Sequence, residues 1–197
     1  MRIKKLINLD PSYIIAKGYH RECYVHPENE NLCIKIVVFG GLKESKREQK
    51  YYRLLQKRNI PWEILPEFHG VVETNLGSGA VFDLIRDYDG NVSKIMEHYL
   101  TSGDKPDTCD PNLSAAIDLL KTSLYQHNII TMTLKPKNIV YKKISPEKGR
   151  LVIVDNIGTS DFIPLCNYNT FFARRKISRK WRRFESTYLA PNGYCAR

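Results

Sequence analysis

Asn138 immediately precedes the apolar run Ile139-Val140-Tyr141, and Asp155 immediately follows Leu151-Val152-Ile153-Val154. If the two runs pair as an antiparallel hairpin, connected through Ser145-Pro146 and Gly149, both polar side chains come to the same end. An amide oxygen and a carboxylate converging there suit octahedral Mg²⁺, which takes few protein ligands and leaves room for phosphate oxygens. Asn and Asp are common turn residues, so taken alone the pair reads first as two ordinary loop-flanking side chains.

Three further residues have types at odds with their surroundings. Lys35 is a cation inside the apolar run Leu32 to Phe39, sharing a strand face with Cys33 and Val37. It is either a working cation or an edge-strand lysine whose stem covers apolar surface. Glu48 lies on the helical line of Tyr52 and Leu55, and its neighbours Glu44, Ser45, Tyr51 and Tyr52 include no cation. A carboxylate there needs a partner from another element, for which Lys35 is available, or it is solvated. Gly18 lies in a turn where a backbone can approach phosphate closely, although one glycine is a weak signal.

The elements that must position these groups follow from periodicity. Tyr13 to Phe39 alternates short apolar runs with turns at Ala16–His20 and His26–Asn31, which predicts a three-stranded antiparallel meander. A helix is predicted over residues 42–57. A second hairpin joins Val71–Thr74 to Ala80–Ile85, and Asp87-Tyr88-Asp89-Gly90 is a connector. Asp110 as N-cap, Pro111, and Leu113, Ile117, Leu120 and Leu124 at spacings of four, three and four predict an amphipathic helix.

The 197 residues, 42% hydrophobic and 26% charged, suit one globular domain, and no window approaches the ~18 apolar residues of a membrane span. The apolar run of the N-terminus is cut by Asp10 and Pro11, which argues against a secretory signal. Five scattered cysteines without a C-x-x-C pair argue against a disulfide framework or a zinc site and for a reducing, cytoplasmic setting. Of the net charge of +10, seven cations lie between Arg174 and Arg183, and +3 remains without them. Ile177, Trp181 and Phe184 recur there at helical spacing, with Arg175, Lys176, Arg179, Lys180, Arg182 and Arg183 around them. Such a run is a solvated face or a dock for an acidic protein, nucleic acid or anionic membrane surface.

Taken in order, these segments resemble a protein kinase. Ala16-Lys17-Gly18-Tyr19-His20-Arg21-Glu22-Cys23-Tyr24 is similar to a degraded G-x-G-x-x-G-x-V loop, and Leu32-Cys33-Ile34-Lys35 to V-A-I-K. Thr133-Leu134-Lys135-Pro136-Lys137-Asn138 is similar to D-L-K-P-x-N with its first residue changed, and Asp155-Asn156-Ile157-Gly158 to D-F-G with an insertion. More narrowly, the chain is identified as a member of the YrbL family, bacterial kinase-like proteins named for the PhoP regulatory network. Glu22–Pro27, Cys33–Val37, Arg47–Tyr52, Phe68–Thr74, Ile130–Ile139 and Asp155–Gly158 carry that resemblance, which spans about residues 14 to 184.

The resemblance implies an α+β, protein-kinase-like two-lobe fold, with an antiparallel N-lobe sheet over about residues 1–86 and a reduced helical C-lobe over about 87–197. ATP would bind in the cleft, its phosphates covered by Gly18 and contacted by Lys35, which Glu48 orients. Asn138 and Asp155 would hold Mg²⁺, Lys135 would reach the γ-phosphate, and the backbone of a hinge from Asp83 to Ile85 would meet the adenine. Thr133 stands where such kinases carry the catalytic aspartate, and Thr131 and Met132 replace the preceding His and Arg. General-base assistance is worth ~10²–10⁴-fold, whereas phosphoryl transfer rests mostly on positioning and charge neutralisation, so slow transfer is compatible with its loss. Gly158 leaves 39 of the 197 residues for the substrate lobe, without an A-P-E segment.

The function so implied is regulatory, a weak Ser/Thr kinase or a pseudokinase with a protein substrate or partner. A small-molecule kinase would keep the aspartate at position 133. The third class is a non-enzymatic module that uses the basic helix on nucleic acid or an acidic partner.

Overall fold

The structure is a computed structural model that describes residues 6–101, 111–161 and 164–194. It is a mixed α/β chain dividing into two compact units, residues 1–58 with 66–84, and residues 59–65 with 85–197.

The first unit holds a five-stranded antiparallel sheet in the order β1-β2-β3-β5-β4. Its strands are β1 (Ile14–Lys17), β2 (Arg21–His26), β3 (Asn29–Val37), β4 (Phe68–Thr74) and β5 (Gly77–Asp83), with helix α1 (Lys43–Lys57) between β3 and β4. The predicted meander is present, although β3 begins at Asn29 and the turn narrows to Pro27-Glu28. Strand β4 starts three residues before the expected Val71, and β5 runs from Gly77 and ends at Asp83 rather than Ile85.

Alternation along β3 assigns the two sheet faces. Ile34 and Ile36 point into one core with Ile7, Leu9, Tyr24 and Val81. The N-terminal segment is therefore part of the sheet's packing. Asn75 fastens it, accepting from the Leu9 N–H at 2.7 Å and donating to the Leu9 carbonyl at 3.1 Å. Cys33 and Lys35 point to the other face, where Tyr52 of α1 packs against Phe82 at 5.0 Å between ring centroids and Phe68 against Phe82 at 5.2 Å. Gln56 fixes the end of α1 by donating to the Phe68 carbonyl at 2.7 Å.

The second unit holds α2 (Met96–Thr101), α3 (Pro111–Gln126), the hairpin β6 (Ile139–Ser145) and β7 (Lys148–Ile153), and α4 (Thr170–Phe184), followed by a π-helical turn at Glu185–Leu189. The expected N-cap Asp110 lies outside the described residues. Leu113, Ile117, Leu120 and Leu124 of α3 are buried as their spacing requires, and α3 packs on β7. Gly149 belongs to β7 rather than to the turn, which is Pro146-Glu147; a β-carbon at Gly149 would fall inside the Tyr141 ring. The segment after Ile85 lines β6: Asp87 accepts from the Lys143 N–H at 2.9 Å, and Tyr141 N–H donates to the Lys94 carbonyl at 2.9 Å. On β7, the Ile153 N–H donates to Ile64 at 2.9 Å, so residues 59–65 are bound to this unit. Among the described residues no helix is long and apolar enough to cross a membrane.

Candidate functional site

The hairpin does what its sequence predicts. Ile139 is paired with Ile153, and the Val154 N–H donates to the Asn138 carbonyl at 2.9 Å, which brings Asn138 and Asp155 to one end of the ladder. Pro136 to Asn138 form a single 3₁₀ turn closed by the Asn138 N–H on the Lys135 carbonyl at 2.9 Å. That turn buries Asn138, and its Nδ2 donates to Thr133 Oγ1 at 3.4 Å, leaving the amide oxygen as the side chain's acceptor. Half-buried Asp155 accepts from the Asn156 N–H through Oδ1 at 2.8 Å. Asn156 at φ 62° and Gly158 at φ 102° turn the chain sharply after it. The donor set is thus one amide oxygen and one carboxylate, which fits a hard cation that completes its shell from water and phosphate.

The two loops bearing these residues are stitched together. Met132 N–H donates to the Asn156 carbonyl and Gly158 N–H to the Ile130 carbonyl, both at 2.8 Å, and Thr131 bridges Ile157. Helix α4 adds two cations. Lys180 Nζ donates to the Met132 carbonyl, and Lys176 Nζ donates to Thr159 Oγ1 and, at 2.6 Å, to Asp161 Oδ2. Lys176 holds the Asp161 carboxyl below the usual carboxylate range. Desolvation, and then the charges of Lys176, Arg179 and Arg183, push the Lys180 ammonium downward. This corrects the expectation that Lys176 belongs to a surrounding solvated face: it is buried with Ala173, Ile177, Trp181 and Phe184. The signal was present, because positions 176 and 180 flank the apolar stripe of the helix.

In the first unit, Lys35 stands on β3 opposite Cys23 and Ala80, its ammonium 4.4 Å from the centroid of the Phe82 ring. Phe82 also receives Tyr52, one helical turn beyond Glu48, so Lys35 and Glu48 serve the same side of the sheet. Glu48 is buried and forms an ion pair with Arg21 of β2. Sequence reasoning missed Arg21 because the contact joins elements 27 residues apart. Gly18 N–H donates to the Arg21 carbonyl at 2.8 Å, and a β-carbon at Gly18 would lie 3.2 Å from that oxygen, so the β1–β2 turn brings backbone close to backbone.

Asp83 closes β5 and uses its side chain structurally, accepting from the Glu67 N–H at 2.9 Å and pairing with His69 Nε2 at 2.6 Å. In the second unit, the Ile85 carbonyl accepts from the Ser93 N–H at 3.0 Å. Lys135, half-buried, is the residue that leads into the 3₁₀ turn bearing Asn138. Among the described residues no group of three or more His, Cys, Asp or Glu side chains comes together to hold a metal ion. Cys33 and Cys166 are buried thiols, and a hydrogen bond with Cys23 together with burial pushes the Cys33 thiol up. Cys109 and Cys195 lie outside the described residues.

A family model described as "PhoP regulatory network protein YrbL" matches residues 7–189. The chain is 39% identical over 182 residues to "Uncharacterized protein YrbL" of Escherichia coli (strain K12) and to the protein of the same name of Shigella flexneri. Each match covers 91% of this chain and 86% of the relative. By the extent of both matches, the chain belongs to the YrbL family of PhoP regulatory network proteins.

Proposed function

We propose that the chain is a regulatory, protein-kinase-like protein that binds ATP with Mg²⁺ and transfers phosphate slowly or not at all. The observation that carries this reading is the convergence of Asn138 and Asp155 at one end of the β6–β7 hairpin, with Thr133 against the Asn138 amide. Asn138 and Asp155 would hold the cation, and Lys135 would meet the γ-phosphate. Lys35 and the backbone near Gly18 would take the nucleotide phosphates, and the backbone from Asp83 to Ile85 the base. Mg²⁺ supplies charge neutralisation on the phosphate oxygens when bound.

Thr133 decides between catalysis and signalling. A hydroxyl can orient a nearby group but does not accept a proton at neutral pH, so a protein acceptor would lose the ~10²–10⁴-fold that a general base contributes. Family membership in a regulatory network supports a role in which nucleotide occupancy biases a conformation that a protein partner reads. The test is calorimetric titration with ATP, with and without Mg²⁺, on the wild type and Asp155→Ala, followed by assay of γ-phosphate transfer in the same samples. Mg²⁺-dependent binding that Asp155→Ala weakens at least tenfold supports the reading, and the transfer assay then separates kinase from pseudokinase. Absence of binding at saturating ATP refutes it.

A further inference from the structure

Helix α4 sorts its cations by type. Both lysines, 176 and 180, turn inward to the loops described above, whereas Arg174, Arg175, Arg179, Arg182 and Arg183 are all exposed. No acidic residue occurs between Pro164 and Phe184, and among the described residues none of the five guanidinium groups makes an ion pair. The crowding reaches Lys180, whose ammonium is pushed downward partly by Arg179 and Arg183. Positive charge is concentrated on this exposed face, and its self-repulsion is relieved when an anion binds.

Helical geometry orders these groups. At 1.5 Å per residue, Arg175, Arg179 and Arg183 follow one another at ~6 Å along a single face, with Arg182 beside them. Phe171 and Phe172, 65% and 45% exposed, head that same face, and Tyr168, 72% exposed, precedes it. The two phenyl rings meet edge to face at 5.6 Å. The apolar face that a membrane-surface helix would insert is already used, because Ala173, Ile177, Trp181 and Phe184 are buried in this unit. What remains is a row of planar, bidentate phosphate binders spaced like successive phosphates of an extended strand, with exposed aromatic rings at one end.

We infer that the exposed face of α4 binds single-stranded nucleic acid, its arginines on the phosphates and Phe171, Phe172 and Tyr168 stacking on bases. This surface shares none of the residues of the proposed nucleotide site.

The test is fluorescence anisotropy of the full chain with labelled oligo(dT) and oligo(U) across a salt series. Four phosphate contacts predict a slope of log K on log salt of about −2.8. Arg175→Gln with Arg179→Gln should cut the slope by about half, since each contact contributes ~0.7. Arg→Lys at the same two positions should keep the slope and lower the affinity, because charge is retained and the bidentate fork is lost. Phe171→Ala with Phe172→Ala should weaken binding tenfold or more at unchanged slope. ATP and Asp155→Ala should leave all of this unaltered, so its failure and that of the nucleotide site are distinguishable. Binding to polyglutamate or anionic vesicles as tight as to the oligonucleotides overturns the proposal, as does oligonucleotide binding that the arginine or phenylalanine variants leave unchanged.

Discussion

Replacing Lys176 by Met keeps the length and apolar stem of a buried side chain and removes only its ammonium. The wild-type group makes two hydrogen bonds, to Thr159 Oγ1 and to Asp161 Oδ2. A hydrogen bond to a charged group contributes about 1.5–3 kcal/mol. The side chain of Asp161 is 46% exposed and recovers water once abandoned, which places the net loss near the lower end, about 1–2 kcal/mol. In a chain of this size each kcal/mol moves the melting temperature by about 2–4 °C, so Lys176→Met should melt about 2–8 °C lower by circular dichroism. The pH dependence follows from Asp161, whose carboxyl is held below its ordinary 3.8 by Lys176. A depressed carboxylate contributes stability that is complete above the unfolded value and is lost as pH falls through the folded one. The gap between wild type and variant should therefore be constant from about pH 5 upward and shrink toward pH 3. A melting temperature within about 1 °C of wild type, or a gap undiminished at pH 3, refutes the assignment of Lys176 as the tie between α4 and the Thr159–Asp161 loop.

Other consequences are as direct. Arg21→Met removes the guanidinium that pairs with the buried Glu48 carboxylate and should cost about 1.5–3 kcal/mol in urea unfolding, of which Arg21→Met with Glu48→Leu recovers a part. Gly149→Ala forces a methyl group into the buried Tyr141 ring and should destabilise the second unit by about 1–3 kcal/mol, again read from urea unfolding. Tyr24 donates its hydroxyl to Glu22, and its pKa is pushed up to about 12 by that hydrogen bond and by burial. Ultraviolet titration of the phenols should show a late component near 12 that Glu22→Gln moves back toward 10. Because the folded pKa is raised, the stability this contact gives is present below 10 and lost as pH climbs through about 12.

Much of the site was legible because it depends on local rules. An antiparallel hairpin must bring the residue before its first strand to the residue after its second: Asn138 meets Val154, and Asp155 follows at the same end. The α1 stripe of Glu48, Tyr52 and Leu55 is buried as helical spacing requires. What escaped depends on tertiary partners. The charge run from Arg174 to Arg183 looks uniform in sequence, and only packing separates the inward lysines from the outward arginines. Arg21 is an unremarkable strand residue until α1 lays Glu48 against it. Ile7 and Leu9 sit in a short N-terminal apolar run whose place in the core is set by distant partners, Glu73 and Asn75 for the Ile7 backbone and the Asn75 side chain for Leu9. Strand ends shifted by up to three residues because β4 and β5 continue through polar and glycine positions that propensity leaves out.

If Asn138 and Asp155 act as one cation-holding pair in the presence of nucleotide, a bound divalent ion will depend on both. Mn²⁺ serves as a paramagnetic stand-in for Mg²⁺, and its bound fraction with ATP can be read by electron paramagnetic resonance on wild type, Asn138→Leu, Asp155→Asn and the double variant. One Mn²⁺ should bind per wild-type chain with ATP, either single variant should lose at least tenfold in affinity, and the double should lose little more. Wild-type affinity in Asp155→Asn, or losses that simply add in the double variant, would contradict the pairing.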